Sequence, residues 1–396
     1  MVNVYSKALD NNIAVNRILA HIKGGKTGPT VVFFGGIHGN ETSGVFALKD
    51  ALDCINPAHV HGNIYGIVGN IKALQLQQRF VDEDLNRLWT KERIAEIKIK
   101  TVLNTEEEAL LELLNILNTI LQTHKPPFYF IDLHTTSSKT LPFITINDAL
   151  INRKFSSQFP VPIVLGIEEY LQGPLLSFIN AMGYVSLGFE SGQHDDLSAI
   201  TNNIAFIYLS LVYSGILEEK GVVNFSHYYE QLQMQAANMV NVFEVIYLHT
   251  IKPNDTFKMH NGFKSFQNIT KGTLLATSNN TEIKSTHTGV MFMPLYQKRG
   301  ADGFFIIKPI NPIILKLSTI LRRIKIDGLL VALPGVSWLN KKEGILQVNL
   351  KVAKFFAKSL FHLLGYRNRH LTATHLRLNN RERVAKTKIY KREVWY

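Results

Sequence analysis

The sequence predicts an α/β protein with a mixed, mostly parallel sheet flanked by helices. Strongly apolar runs such as "TVVFFGG", "PFYFID" and "YVSLGF" are typical of buried strands, and helical stretches alternate with them up to about residue 246. Strands that are apolar on both faces favour a sheet covered by helices on each side.

The elements follow one another along the chain. "TVVFFGG" leads into "NETSGVFALKDALDCI", whose apolar positions fit one helix face. The clearest helix covers 105–124, with acids in its first turn and His124 at its end, which matches the helix macrodipole. "PFYFIDLHTTSS" is a strand that leaves the core at Asp132 and His134. "YVSLGFES" and "DLSAITNNIAFIYLSLVYSGIL" predict a further strand and helix.

The texture of the sequence divides the chain into three predicted segments. An α/β domain covers 1–246. Pro-Asn, Asn-Gly and Asn-Asn turn signals predict a small β-rich domain over 247–318. A basic helical extension covers 319–396, in which 346–366 predicts an amphipathic helix ended by Gly365.

Charge is concentrated in the last part of the chain. The 396 residues carry a net charge of +12, of which +10 comes from the segment 351–396 and only +2 from the first 350 residues. A basic protein can signal nucleic-acid binding, but here the body does not share that charge. The tail is interpreted as a helix packed on the body with a solvated basic strip. Contact with nucleic acid, an anionic membrane or a second copy remains an alternative.

Several classes of protein are disfavoured by composition. Cys54 is the one cysteine of the sequence, so no disulfide within the chain is expected. No apolar run reaches the roughly 18–20 residues of a membrane span, and the N-terminus lacks the pattern of a signal peptide. We therefore expect a cytoplasmic protein.

Ionisable side chains stand where several predicted strands end. His38 and Glu41 follow the first strand, and His134 and Glu190 end later ones. The carboxyl ends of strands are where α/β sheets concentrate function. Two histidines and a carboxylate form a ligand set of catalytic zinc, and the glycines of "GGIHG" would let backbone pass close to a metal. The alternative for the His-x-x-Glu pair is a polar turn before a helix.

Glu190 has two interpretations. It is either a helix cap or surface carboxylate, or the general base for a water that a nearby metal activates. His194 is another potential ligand, but the acids after it, Asp195 and Asp196, stand where helix-starting acids are expected. We interpret these three residues as structural.

A charged stretch, "QQRFVDEDLNRLWT", contains Arg79, Asn86 and Arg87. It is either a solvated loop with internal salt bridges or a clamp for a carboxylate, since arginine donates a bidentate fork and asparagine adds a neutral donor. An arginine beside a metal can also polarise a carbonyl group.

Together, "GGIHGNE", "RFVDEDLNR", "DLH" and "GFESGQ" resemble the succinylglutamate desuccinylase/aspartoacylase family, a branch of the zinc carboxypeptidase-like fold. The resemblance covers residues 30 to about 196. It implies one Zn²⁺ per chain held by His38, Glu41 and His134. Glu190 would deprotonate water and pass the proton to the leaving amine.

The resemblance also implies how substrate is handled. Arg79 would polarise the acyl carbonyl, and Asn86 and Arg87 would bind a substrate carboxylate. The implied reaction is hydrolysis of an N-acyl amino acid or a related small amide, with a small-molecule N-acyl substrate as the partner and a homo-oligomer as an option. The alternatives are a carboxypeptidase-type hydrolase of the same fold and a non-enzymatic binder that uses the basic tail.

The sequence departs from the family in one respect. Aspartoacylases place an arginine about ten residues before the catalytic glutamate to hold a second carboxylate, yet no arginine occurs between 154 and 298. This argues against N-acetylaspartate as the substrate. Tyr296 and Arg299 are the nearest candidates for the tyrosine that the late β domain contributes in the family.

Overall fold

The computed structural model of the protein describes residues 1–352, 358–372 and 374–396. The strands in chain order are β1 (Val2–Ser6), β2 (Asn11–Val15), β3 (Ile18–Lys23), β4 (Lys26–Gly35), β5 (His61–Val68), β6 (Phe128–Thr136), β7 (Phe143–Ile146), β8 (Ile163–Leu165), β9 (Val185–Gln193), β10 (Val242–Thr250), β11 (Phe257–Met259), β12 (Asn268–Ile269), β13 (Leu274–Ser278), β14 (Thr281–Lys284), β15 (Gly289–Phe292), β16 (Asp302–Pro309), β17 (Val336–Asn340), β18 (Ile345–Asn349), β19 (Tyr366–Thr372) and β20 (His375–Asn380).

The α-helices in chain order are α1 (Ser43–Asp53), α2 (Ile71–Leu76), α3 (Lys91–Lys98), α4 (Thr105–Thr123), α5 (Leu150–Ser156), α6 (Leu175–Ala181), α7 (Leu197–Tyr213), α8 (Phe225–Gln235), α9 (Pro312–Arg323), α10 (Lys358–Leu363) and α11 (Arg381–Val384). The predicted helix at 105–124 is confirmed as α4. It begins with a capping box, in which Asn104 and Glu107 each bond the backbone of the other.

Eleven of the described strands form one mixed sheet in the order β12–β15–β16–β10–β8–β7–β9–β6–β4–β5–β3. Strands β5, β4, β6 and β9 run parallel to one another, as do β7, β8 and β10. The other neighbours are antiparallel. The predicted fold class, a mixed α/β sheet flanked by helices, is confirmed.

Two hydrophobic cores lie on opposite faces of this sheet. Successive strand side chains point to opposite faces, so Val31 and Phe33 of β4 enter the core beneath α1 and α7. Val32 and Phe34 enter the other core, against α4. Burial on both faces explains why this strand is a continuous apolar run with no alternation.

The predicted β-rich segment 247–318 is built largely of strands, but it does not stand apart from the sheet. β10 starts before residue 247 and pairs with both β8 and β16. β12, β15 and β16 extend the large sheet, and β11, β13 and β14 form a separate three-stranded sheet. The predicted boundary at 246 therefore falls inside a strand, and α9 starts before the predicted boundary at 318.

The prediction of a mainly helical extension is wrong. β17, β18, β20 and β19 form a four-stranded antiparallel sheet within 319–396. The helix predicted over 346–366 begins as the strand β18, and the part in α10 covers only Lys358–Leu363; residues 353–357 lie outside the described part of the chain. Leu346 and Val348 are buried at a period of two against β20, which a helical reading of the same apolar residues overlooks.

The extension is anchored in the core of the α/β domain. Tyr390 is fully buried and donates a hydrogen bond to the backbone carbonyl of Phe128 at 2.5 Å. The indole of Trp395 donates to the hydroxyl of Tyr129 at 3.1 Å and packs edge-on against Phe155. None of the described helices is both long and apolar enough to cross a membrane.

A buried ion cluster around Asp148 joins the extension to the α/β domain. Arg153 of α5, Arg322 of α9 and Arg367 of β19 each place a guanidinium nitrogen 2.5–2.8 Å from the Asp148 carboxylate. Burial acts to raise the pKa of Asp148, but the three guanidinium groups hold it well below its usual range. Part of the positive charge of the extension is therefore neutralised inside the protein.

Replacing Asp148 by asparagine is expected to lower the free energy of unfolding by about 3–5 kcal/mol, because it leaves buried cations uncompensated. Urea unfolding followed by circular dichroism measures the change. The matched control is Asp53→Asn, which removes an exposed carboxylate paired with Lys49 and should cost no more than about 1 kcal/mol. Equal losses in the two variants would contradict the structural role of the cluster.

Candidate active site

Three neighbouring parallel strands bring the predicted site residues together. β4 ends at Gly35, and the loop after it carries His38 and Glu41. β6 carries His134 and β9 carries Glu190, and these two residues are direct partners in the register of the strands. Because parallel strands end at one edge of a sheet, all four side chains reach the same place.

The glycines of "GGIHG" serve the packing of the neighbouring chain, which corrects the expectation that they make room for a metal. Gly36 has a φ of +70°, a conformation that favours glycine. A Cβ on Gly39 would lie 2.0 Å from the carbonyl carbon of Ala73 in α2. The loop can therefore approach α2 only without a side chain at this position.

His38, Glu41 and His134 form a compact buried cluster. One carboxylate oxygen of Glu41 lies 2.8 Å from Nδ1 of His38, and the other lies 2.9 Å from Nδ1 of His134. The three side chains are 3–9% exposed, and each offers one ligand atom within 4.8 Å of the others. Two imidazole nitrogens and a carboxylate at this spacing are a donor set for a divalent metal ion.

A second layer of carboxylates faces the outer nitrogen of each histidine. Oδ1 of Asp84 lies 3.1 Å from Nε2 of His38, and Oδ2 of Asp132 lies 2.7 Å from Nε2 of His134. Metal-binding histidines typically direct their second ring nitrogen at a carboxylate, which fixes the ring and its tautomer. The arrangement therefore fits a metal site better than a helix-capping turn.

The charges in the cluster shift each other's ionisation. Burial acts to raise the pKa of Glu41, but His38 and His134 hold it well below its usual range. Burial acts to lower the pKa of His134, but the negative charges of Asp132 and Glu41 raise it well above its usual range. In Glu190 burial prevails and raises the pKa to about 8.

Arg79 lies beside the cluster and is held by a carboxylate. Its Nε and Nη2 donate to Oδ2 of Asp84 at 3.2 and 3.0 Å, and its Nη1 is 3.6 Å from the Glu41 carboxylate. Asp84 thus contacts both His38 and Arg79, so one side chain orients a candidate metal ligand and a candidate catalytic arginine.

A cavity with a water-accessible volume of about 120 Å³ adjoins the cluster. It extends over the face of the sheet, between the ends of the parallel strands and α6. Every site residue predicted from the sequence lines it, and other polar groups join them. These lining residues are His38, Glu41, Arg79, Asn86, Arg87, His134, Glu190, Thr145, Asn147, Glu168, Ser177, His194, Gln297 and Asp302.

Asn86 and Arg87 face the cavity but are already engaged by protein groups. Oδ1 of Asn86 accepts a hydrogen bond from the backbone N–H of Leu175 at 2.9 Å. Nη2 of Arg87 donates to Oδ2 of Asp302 at 2.6 Å, and its Nη1 donates to the Asn86 carbonyl at 3.0 Å. A carboxylate of the protein itself therefore lies where the predicted clamp would hold a substrate carboxylate.

Comparison with protein families agrees with this geometry. Residues 27–203 match the model of the succinylglutamate desuccinylase/aspartoacylase catalytic domain. This segment belongs to that family. The matched range includes His38, Glu41, His134 and Glu190 together with the arginine-containing loop, and the family makes the catalytic domain a hydrolase of the deacylase type. No sequence of a curated protein matches the chain.

Solved structures of related fold extend beyond that segment. A succinylglutamate desuccinylase/aspartoacylase from Rhodobacter sphaeroides is 17% identical, with a TM-score of 0.57 over 74% of this chain and 88% of its own. The product-bound ectoine utilization protein EutE (DoeB) from Ruegeria pomeroyi is 17% identical, with a TM-score of 0.54 over 73% and 87%. A succinylglutamate desuccinylase from Vibrio cholerae is 15% identical, with a TM-score of 0.52 over 78% and 92%. At these identities the matches establish the fold alone.

Sequence reasoning missed several polar groups of this catalytic domain. Asp84 was part of a stretch interpreted only through its arginines and asparagine, although an acid there was visible. Asp132 stands two residues before His134, on the same face of a strand, which is a usable signal. Asp302 gives no signal, because it is one acid at the start of a distant strand. His194, interpreted as structural, lines the cavity, with Nδ1 2.7 Å from the Thr135 hydroxyl.

Tyr296 and Arg299 do not take part in the cavity. The Tyr296 hydroxyl donates to the carbonyl of His260 at 2.8 Å, and the Arg299 guanidinium donates to the carbonyl of Phe80 at 2.5 Å. Neither side chain lines the cavity among the described residues. The suggestion that either replaces the tyrosine of the family is therefore wrong for this structure.

Replacing Asp132 by asparagine is expected to weaken divalent-metal binding 10- to 100-fold, because the outer carboxylate orients His134. Competition with a chromophoric chelator measures the zinc affinity. The control Asp50→Asn changes an exposed acid on α1 and should leave that affinity unchanged. An unaltered affinity in the Asp132 variant would show that its carboxylate does not support the cluster.

Proposed function

We propose that the protein is a zinc-dependent deacylase that hydrolyses the amide bond of an N-acyl amino acid or a related small amide. The observation that carries the proposal is the convergence of the His38–Glu41–His134 cluster with Glu190 and Arg79 at one small cavity. Membership of the catalytic domain in the desuccinylase/aspartoacylase family supports the same reaction type.

The donor set fits zinc in its chemistry. Two imidazole nitrogens and one carboxylate leave a further coordination position, as catalytic zinc sites require. When bound, zinc supplies a Lewis acid that polarises a carbonyl and makes water acidic enough to react near neutral pH. His38, Glu41 and His134 would hold the ion, and Asp84 and Asp132 would orient the two histidines.

The other residues handle the substrate and the proton. Arg79 donates to the acyl oxygen and stabilises the negative charge that develops there. Glu190 accepts a proton from the attacking water as the new carbon–oxygen bond forms. As the carbon–nitrogen bond breaks, Glu190 returns that proton to the leaving nitrogen. The products are a carboxylate and an amine.

The size of the cavity favours a small substrate over a polypeptide. About 120 Å³ of water-accessible space accommodates a small amide, whereas a carboxypeptidase must also hold the preceding residues of its peptide. Including dipeptides in the substrate panel separates these two reactions of one fold.

The first experiment combines metal analysis with activity. Purified protein is expected to contain close to one zinc per chain and to hydrolyse members of a panel of N-acyl amino acids and acylated amines. Treatment with a chelator should abolish turnover, and stoichiometric zinc should restore it. Protein that binds no zinc on titration, or that stays fully active without metal, would refute the proposal.

Replacing Glu190 by glutamine should lower kcat by about 10²–10⁴, because general acid–base catalysis contributes a factor of that size. The zinc content should stay at the wild-type level, since Glu190 is not one of the proposed ligands. The control Glu282→Gln makes the same chemical change at an exposed residue of β14 and should retain full activity. Near-normal turnover by the Glu190 variant would exclude its proposed role.

A further inference from the structure

One end of the cavity is closed to a substrate carboxylate by the Arg87–Asp302 ion pair. The two residues are 215 positions apart in sequence, and their closest atoms are 2.6 Å apart. Both terminal nitrogens of Arg87 have acceptors, since the second donates to the Asn86 carbonyl. A substrate carboxylate would have to displace Asp302 and leave that acid without its partner, which costs free energy in a partly buried site.

The far wall of the cavity presents a buried acid. The Glu168 side chain is 1% exposed. Its Oε1 accepts a hydrogen bond from the backbone N–H of Asp148 at 3.2 Å, and its Oε2 has no hydrogen-bond partner among the described residues. A buried carboxylate oxygen without a donor is unfavourable, so a ligand that brings a donor to this wall would be favoured.

Positive charge near Glu168 is already committed elsewhere. Nε of Arg367 lies 3.9 Å from the Glu168 carboxylate, beyond hydrogen-bonding distance, while its Nη2 donates to Asp148 at 2.5 Å. Asn147 and Ser177, which line the same part of the cavity, are neutral and bond each other at 3.0 Å. Among the described lining residues the only arginines are Arg79 and Arg87.

The spacing of the two ends suits an extended amine portion. Phe143 is the register partner of Glu190, and Asn147 follows it by four residues. At the rise of a strand, the Cα atoms of Asn147 and Glu190 are therefore roughly 13 Å apart. Side chains from both ends shorten the gap that a ligand must bridge, so a chain of several methylene groups would reach from the reacting amide to Glu168.

We propose that Asp302 and Glu168 select N-acylated amines that carry a terminal ammonium group and reject those that end in a carboxylate. This assignment rests on the deacylase function proposed above and specifies the class of its substrate. Asp302 acts by neutralising Arg87, and Glu168 acts by accepting hydrogen bonds from the ammonium group.

Three acetyl amides of similar length test the assignment: N-acetyl-1,5-diaminopentane, 5-acetamidopentanoate and N-hexylacetamide. They end in a cation, an anion and a neutral methyl group. The zinc-loaded wild-type enzyme should have a kcat/KM for the cationic amide at least tenfold above that for the anionic one. The neutral amide should fall between them.

Two variants test the two residues separately. Asp302→Asn frees Arg87 and should raise the anionic-to-cationic ratio of kcat/KM about tenfold. Glu168→Gln should lower the preference for the cationic over the neutral amide by a similar factor. Glu282→Gln is the matched control and should leave every ratio unchanged. Because ratios are compared within one preparation, partial loss of folded protein cancels.

The outcomes separate this assignment from the function on which it rests. A wild-type preference for the anionic amide, or ratios that neither variant alters, would overturn the assignment while the deacylase function stands. Failure to hydrolyse these amides and every N-acyl amino acid of the wider panel would remove the deacylase function, and the assignment with it.

Discussion

The register of the parallel strands β4, β6 and β9 is the constraint on which the site depends. In β6, Ile131 and Leu133 face one core, and the residues between and after them, Asp132 and His134, share the opposite face. A shift of one residue would exchange these sets and place charged groups in a hydrophobic core. The same apolar packing that fixes the register therefore aims His134 at Glu41.

Two buried carboxylates show how similar physics serves different ends. Asp148 is surrounded by three guanidinium groups and satisfies them with both oxygens. Glu41 lies between two histidines whose outer nitrogens face further acids. The first cluster pairs a lone acid with fixed cations and ties two parts of the chain together. The second collects more negative than fixed positive charge, and such an excess is what a divalent cation neutralises.

The sequence was informative where the structure depends on local pattern. Apolar runs, the acidic start of α4 and the strand-end positions of His38, Glu41, His134 and Glu190 could all be recognised without coordinates. Their assembly into one cluster could be inferred because parallel strands share an edge. The family resemblance supplied the roles.

Other features depend on partners that are distant in sequence. Asp302 has no special neighbours in the chain, and only the pairing of β16 with β10 brings it to Arg87. The apolar residues of 346–349 fit a helix or a strand equally well until β20, nearly thirty residues later, supplies the edge with which they pair. Local periodicity cannot choose between such alternatives, because the deciding contacts are made by tertiary structure.

The Asp148 cluster also sets an order of events during protein synthesis. Arg367 leaves the ribosome long after the acids that it contacts, since 198 residues separate it from Glu169. Until it arrives, the wall of the cavity that contains Glu168 lacks a guanidinium group behind it, and Asp148 lacks one of its three cations. Contacts so distant in sequence form slowly, so the nascent enzyme completes its substrate pocket only near the end of translation.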